Sequence, residues 1–140
     1  MSFNRIYDIA STGMAAQRLR VQLIAANVAN AETTRTAEGG PYRRKEAVFK
    51  IEDMGVTPEG MSLAGVKVAE VTTSREPFLT KYEPGHPDAG PDGMVRYPNV
   101  NPVGEMVDLT SATRSFDANV AVVRAARTMA MSAQDLLRVQ

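Results

Sequence analysis

Apolar residues recur at heptad spacing near the amino-terminal end of the chain, in steps of four and three. The positions of this first seam are Phe3, Tyr7, Ala10, Met14, Gln17, Val21, Ile24 and Val28. Such spacing is typical of a helix that packs along its length. A second seam runs beside it through Ile9, Thr12, Ala16, Leu19, Leu23, Ala26 and Asn30. The apolar surface is wider than one partner helix needs, which predicts a helix over residues 3–30 with several neighbours.

The same spacing returns near the carboxyl end. One seam contains Ala112, Phe116, Asn119, Val123, Ala126, Ala130, Ala133 and Leu137, and an adjoining one contains Met106, Leu109, Thr113, Phe116, Val120 and Val123. Asn101 and Pro102 suit the N-cap and first helical positions, and Glu105 and Asp108 place negative charge near the positive helix end. We predict a helix over residues 105–138, about 50 Å long, with Phe116 as its largest packing anchor.

Between these stretches the chain has the pattern of short strands and turns. Residues 47–51 are apolar and β-prone, and residues 65–72 alternate apolar with polar side chains, which is typical of strands. Residues 57–60 favour a turn. We therefore predict a hairpin or small sheet over residues 46–83, which would need a helix or a neighbouring subunit to cover it.

Two loop segments carry features that resemble binding motifs. Residues 42–45, Tyr-Arg-Arg-Lys, are the basic cluster of the first loop. A solvated face is favoured there over nucleic-acid binding, because no aromatic platforms or longer basic track follow. Residues 82–93 are dense in Pro, Gly and Asp but match neither a P-loop nor an EF-hand. They predict successive turns.

These elements predict an α+β chain in which two long terminal helices pair as an antiparallel coiled-coil-like domain around a small β-rich middle. We expect residues 1–35 and 101–140 to form the helical core domain and residues 36–100 the loop and β-rich segment. A helix over residues 3–30 would reach about 42 Å, whereas a compact chain of this size has a radius of gyration of about 14 Å. The molecule is therefore expected to be elongated.

The composition leaves few options for chemistry. Sixteen basic and sixteen acidic side chains cancel, so no overall field draws the chain to nucleic acid or an anionic membrane. Cysteine is absent, which excludes disulfides and a thiolate nucleophile. His86 is the single histidine and has no Cys or second His with which to bind a metal. We predict that the chain is not an enzyme and has no catalytic, cofactor-binding or metal site, and no small-molecule substrate.

One segment resembles a signal peptide. Arg18 and Arg20 precede residues 21–29, an apolar stretch that ends in small residues. Gln22 and Asn27 dilute this stretch, and its residues already fit the heptad. No apolar run approaches the roughly 20 residues of a membrane span. We therefore expect no cleaved signal peptide, so that a protein leaving the cytoplasm would need another route.

Motifs at both ends carry a resemblance to a known family. Residues 15–20, Ala-Ala-Gln-Arg-Leu-Arg, and residues 26–33, Ala-Asn-Val-Ala-Asn-Ala-Glu-Thr, resemble the amino-terminal signature of bacterial flagellar rod and hook proteins. Residues 105–109 and 112–116 look like the carboxy-terminal half of that family's helical domain.

Further segments distinguish branches of the flagellar basal-body rod protein family. Residues 33–45, with their long glycine loop, and residues 96–101, Arg-Tyr-Pro-Asn-Val-Asn, are similar to the proximal-rod members. Many relatives carry Tyr where this chain has Phe116, so a hydrogen bond from that hydroxyl is absent here.

The resemblance implies that both terminal helices pair and stack with those of neighbouring subunits in a helical tube, the proximal rod, which transmits torque across the periplasm. It also implies export through the flagellar type III apparatus without a cleaved signal peptide. The implied partners are other copies of the chain, proximal and distal rod proteins, and the export-gate and MS-ring components of the basal body.

We expect the subunit interface to be formed by seam residues and their neighbours on the two helices. These are Met14, Leu19, Val21, Leu23, Ile24, Asn27, Val28, Asn30, Thr33, Met106, Val107, Leu109, Phe116, Asn119, Val123 and Leu137. Asn27, Asn30 and Asn119 are polar residues on otherwise apolar seams. Our hypothesis is that they fix the register between helices, as buried amides do in coiled coils.

The alternative is a soluble adaptor, in which the helices form a small bundle and the β segment is a recognition module. In that protein both apolar seams would be satisfied within one chain. The two hypotheses therefore differ in whether apolar helix surface remains uncovered in the folded subunit.

Overall fold

A computed structural model describes residues 3–58 and 60–138, with side chains for residues 4–58 and 60–136. The side chains of Phe3 and Leu137, both assigned to seams from the sequence, lie outside this description. The elements in chain order are α1 (Phe3–Ala29), β1 (Lys45–Val56), β2 (Ser62–Thr73), β3 (Leu79–Tyr82), β4 (Met94–Tyr97) and α2 (Pro102–Arg138). The predicted α+β fold class is confirmed, with two long helices around a small β-rich middle.

The two helices lie antiparallel against each other. Asn27 near the end of α1 contacts Glu105 near the start of α2, and Gly13 lies beside Asn119. A Cβ atom on Gly13 would stand 3.0 Å from Asn119 Nδ2, so the helices approach closely there. The buried apolar residues of the two helices are mostly small, namely Ala10, Ala16, Ile24, Ala112 and Ala126. With 37 residues, α2 spans about 55 Å and makes the molecule elongated.

The start of α2 is capped as the sequence predicts. Asn101 Oδ1 accepts hydrogen bonds from the backbone N–H groups of Val103 and Gly104, at 3.1 and 3.3 Å. The helix then begins at Pro102, whose missing N–H is not needed in the first turn.

The predicted hairpin is formed by β1 and β2, which pair antiparallel in a two-stranded ribbon. The turn begins at Thr57, whose N–H donates to the Met61 carbonyl at 2.8 Å. The ribbon lies on α1, where the Val66 N–H donates to Thr12 Oγ1 at 3.1 Å. A Cβ atom on Gly65 would stand 2.9 Å from the same Oγ1. A glycine is therefore needed for this close approach of strand to helix.

β3 falls inside the range predicted for a hairpin or small sheet, residues 46–83, although its pairing was not predicted. It does not join the first hairpin but pairs with β4 in a separate two-stranded sheet, and β4 was missed. β4 has only four residues and lies between Gly93 and Pro98, so its alternation is too short to recognise. Val95 in its middle is 0% exposed. The loop between β3 and β4 consists of successive turns, as predicted, and includes Gly93 at a φ of 74°.

Neither helix that the structure describes contains an apolar stretch long enough to cross a membrane.

Candidate assembly interface

One end of the helix pair is closed by a cluster of hydrogen-bonded polar side chains and backbone groups. We call this cluster the junction; it consists of Asn27, Tyr42, Arg44, Lys45 and Glu105. Asn27 is 1% exposed and Glu105 is 3% exposed. The Asn27 amide donates to Glu105 Oε2 at 3.0 Å and to the Lys45 carbonyl at 2.9 Å. Its oxygen accepts from the Tyr42 hydroxyl at 3.0 Å and from the Lys45 N–H at 2.9 Å.

The Asn27 amide therefore pairs with the backbone of Lys45 as a neighbouring strand would, because it forms hydrogen bonds with both the N–H and the carbonyl of that residue. All four hydrogen-bonding positions of a primary amide are occupied. Asn27 thus holds α1, the start of α2 and the first residue of β1 in one arrangement.

Charge within the junction is compensated by Arg44. Its Nε donates to Glu105 Oε1 at 2.6 Å, and its Nη1 donates to Glu46 Oε2 at 3.1 Å. The bond to Glu105 is the main cause that raises the pKa of Arg44. Burial, and secondarily the Glu105 carboxylate, raises the pKa of Tyr42 above its usual 10.0. The tyrosine hydroxyl therefore stays protonated and keeps donating to Asn27.

The sequence interpretation of residues 42–45 as a solvated basic face was wrong for Tyr42 and Arg44. Tyr42 is buried and Arg44 is half-buried against Glu105. Arg43 and Lys45 are exposed, and the guanidinium carbon of Arg43 lies 4.2 Å from the centre of the Phe78 ring. The Glu105 carboxylate, predicted only as a favourable charge at the start of α2, is the partner that draws Arg44 inward.

The three asparagines on the apolar seams, Asn27, Asn30 and Asn119, do not share one role. Asn27 does connect α1 to α2, within a single chain. Asn30 donates to the Ala26 carbonyl and accepts from the Thr33 hydroxyl, so it caps the end of its own helix. Asn119 donates to the Ser115 carbonyl one turn earlier. Among the described residues, the interhelical hydrogen bonding expected of all three is therefore found for Asn27 alone.

One side of the helix pair carries an uncovered apolar groove, opposite the hairpin. At about 100° per residue, Met14, Val21 and Val28 lie on the side of α1 that faces away from the ribbon. The groove is completed by Leu109, Phe116 and Val120 of α2, and all six side chains are half-buried. Between the helices it forms a cavity of about 370 Å³ lined by Arg18, Val21, Thr113 and Phe116. We call this surface the groove.

A second uncovered surface runs along α2. Its members fall within about 60° of one another around the helix, and all are exposed: Val107, Ser111, Ala118, Val122, Ala125, Met129 and Leu136. None is charged. We call this surface the stripe; it is about 44 Å long and lies on roughly the opposite side of α2 from the groove. Uncharged apolar surface of this length is unusual on a helix that faces only water.

The residues expected at a subunit interface are distributed over three environments. Ile24 and Asn27 are buried inside the chain, and Met106 and Val107 are exposed on α2. The half-buried ones are Met14, Leu19, Val21, Leu23, Val28, Asn30, Thr33, Leu109, Phe116, Asn119 and Val123. Leu137 falls outside the described side chains. Sequence reasoning passed over the exposed stripe members Val122, Met129 and Leu136, although their seven-residue spacing would have identified them.

Two family models match this chain. Residues 8–35 match the one described as flagella basal body rod protein, and residues 92–136 match the one described as flagellar basal body rod FlgEFG protein C-terminal. Together they cover most of both helices and the whole of β4.

Relatives that match along nearly the whole chain are also flagellar basal-body rod proteins. The chain is 42% identical to the flagellar basal-body rod protein FlgC of Salmonella typhimurium, over 92% of this chain and 93% of the relative. It is 39% identical to FlgC of Borreliella burgdorferi, over 94% and 95%, and 37% identical to FlgC of Bacillus subtilis, over 92% and 94%.

Proposed function

Because the chain belongs to the FlgC family of flagellar basal-body rod proteins, we propose that its terminal helices polymerise to build the proximal rod. As a family member it is a structural subunit of the flagellar basal body and not an enzyme, and it assembles with other rod and basal-body proteins. Membership in this family also decides against the adaptor alternative.

The observation that carries the proposal is the pair of uncovered apolar surfaces on opposite sides of the helix pair. The groove is concave and the stripe is a convex row of side chains, so the stripe of one subunit fits the groove of the next. Full burial of an exposed Val, Met or Leu stabilises a contact by about 1.5 to 3 kcal/mol. Since the two surfaces differ, the contact is head-to-tail, which generates rings or helical polymers instead of closed dimers.

This contact refines the interface that the sequence suggested. We propose that Met14, Val21, Val28, Leu109 and Phe116 contribute through the groove, and Val107 through the stripe. Ile24 and Asn27 act from inside the chain by holding the helices together. In this proposal residues 1–35 and 101–140 form the assembly module, and residues 36–100 form a separate segment attached at the junction.

Disulfide trapping tests the contact directly, because the chain has no native cysteine. A Thr113→Cys/Val122→Cys variant places one thiol in the groove and one on the stripe. The two positions are about 13 Å apart along α2, too far for a bridge within one chain. In basal bodies assembled from this variant, mild oxidation is expected to link successive copies into dimers and longer chains.

The matched control is Thr113→Cys/Thr128→Cys, since Thr128 is exposed on α2 but lies outside the stripe. Equal cross-linking of the two variants would contradict the stripe-to-groove contact. The absence of disulfide cross-links in assembled rods of the Thr113→Cys/Val122→Cys variant would also contradict this contact.

We further propose that the subunit occupies the periplasmic part of the basal body and contacts export-gate and MS-ring components there. The distal end of α2 is the part of the helix pair that no other described element covers, and Leu136 is 74% exposed. A photo-reactive residue at position 136 is expected to cross-link to these components as well as to the next copy of the chain, since Leu136 also belongs to the stripe. Products that contain only other copies of this chain would refute the assignment.

We also propose export through the flagellar type III apparatus without removal of a signal peptide. The apolar stretch at residues 21–29 forms the last part of α1, where Ile24 and Asn27 are buried. Cleavage after this stretch would remove the whole of α1. Mass spectrometry of the rod-bound chain should therefore recover peptides covering residues 3–29, and their absence would contradict the proposal.

A further inference from the structure

Two methionines near the end of α2 are equally accessible but have different surroundings. Met129 and Met131 are each 55% exposed. Being two residues apart, they point in directions about 160° apart around the helix. Met129 belongs to the stripe, and the residues one turn away on either side are Ala125 and Ala133. Met131 lies outside the stripe, on the groove side of α2 but about 16 Å past Val120, the last residue of the groove. Its neighbours one turn away include Arg127 and Asp135.

Both thioethers can react with a peroxide. The sulfur lone pair attacks one oxygen of hydrogen peroxide, an S–O bond forms as the O–O bond breaks, and water leaves. The sulfur is oxidised by two electrons and the peroxide is reduced by two. The product, methionine sulfoxide, is polar and can be reduced again by methionine sulfoxide reductases. Equal exposure predicts similar rates of oxidation at the two positions.

We infer that Met129 is an oxidation-sensitive modification site that controls subunit association, and that Met131 is not. The inference rests on the proposed stripe-to-groove contact between two copies of the chain. A sulfoxide at Met129 would enter an apolar groove among small uncharged neighbours, where its oxygen loses water. A sulfoxide at Met131 stays beside the Arg127 guanidinium and in solvent, so association is unchanged.

Partial oxidation of one preparation makes each methionine a control for the other. The purified chain is treated with hydrogen peroxide until both sites are partly oxidised. It is then passed over an immobilised, unoxidised Val122→Asp chain, whose own stripe is blocked by the charge so that it can capture other chains only through its groove. Mass spectrometry compares sulfoxide occupancy at the two sites in the bound and unbound fractions. We expect the sulfoxide of Met129 to be depleted about tenfold in the bound fraction, and that of Met131 to be equal in both fractions.

Two variants complete the test. Met129→Leu should bind equally well before and after peroxide, whereas Met131→Leu should lose binding on oxidation and regain it with the reductases. Equal depletion at both methionines, or at neither, overturns the inference while the contact itself stands. If the unoxidised chain fails to bind immobilised copies, the proposed contact is refuted and the inference falls with it.

Discussion

The two ends of the helix pair differ in how completely the chain covers them. At the junction, α1, α2, the first loop and β1 meet, and Asn27 and Glu105 are almost fully buried and hydrogen-bonded. At the other end, the contacts at Gly13 and Asn119 place Asn4 level with about residue 128 of α2. The last ten or so residues of α2 therefore extend past the described part of α1.

This difference assigns the stability of the fold to the junction and contacts with other subunits to the distal end. Buried polar groups at the junction are costly to disturb because each has its partner within the chain. At the distal end, side chains such as Leu136 have few neighbours, so substitutions there should leave folding intact and affect only contacts with other subunits. The free energy of unfolding of variants at the two ends tests this separation.

Asn27→Leu should have the largest effect. It leaves the Tyr42 hydroxyl and both backbone groups of Lys45 without their partner in a buried site, at a cost of at least about 3 kcal/mol. Chemical denaturation measures the loss. Asn30→Ala is the control, because Asn30 bonds only within its own turn. A similar loss in the two variants would show that Asn27 stabilises the chain no more than an asparagine that bonds only within its own turn.

Glu105→Gln keeps the shape of the side chain but removes the charge that faces Arg44. Because Arg44 is half-buried, we expect a loss of about 1 to 2 kcal/mol in the free energy of unfolding. Asp108→Asn provides the comparison, since its pair with Arg20 spans 3.4 Å and is partly exposed; that change should cost less than about 0.5 kcal/mol. Equal losses would mean that burial of the Arg44–Glu105 pair adds nothing to the free energy of unfolding.

Tyr42→Phe should cost about 1 kcal/mol at neutral pH, the value of one buried hydrogen bond. Since the pKa of Tyr42 is raised in the folded chain, its contribution is complete below the unfolded value of about 10 and is lost as the pH rises through the folded value. Unfolding measured across this alkaline range should show the difference between wild type and Tyr42→Phe disappearing. Tyr82→Phe, at an exposed position, should leave the alkaline profile as it is.

Leu136→Asp should have the smallest effect on folding, less than about 0.5 kcal/mol, because Leu136 is mostly exposed in the folded subunit. The same charge in the stripe should abolish binding of the variant to immobilised copies of itself, because no chain then has an intact stripe. A large loss of stability would show that the distal end is packed within the chain after all, which would remove the contrast between the two ends.

The sequence was sufficient for the helices and the first hairpin because long periodic patterns, and a turn signal that contains Pro58 and Gly60, leave few alternatives. It was insufficient where a few residues from distant parts of the chain meet. Arg44 and Glu105 carry no local sign of their pairing, and β4 is too short for its alternation to stand out. The position of the groove also depended on which side of α1 the hairpin covers, and periodicity alone does not specify that side.

The antiparallel pairing of the first and last elements has a consequence for the timing of folding. The bond between Asn27 and Glu105 joins residues 78 positions apart, and contacts of such long sequence separation form slowly. If the chain emerges from a channel amino-terminal end first, α1 must wait for α2 before its apolar seams are covered. The subunit would therefore acquire its final shape only after nearly all of it had been delivered.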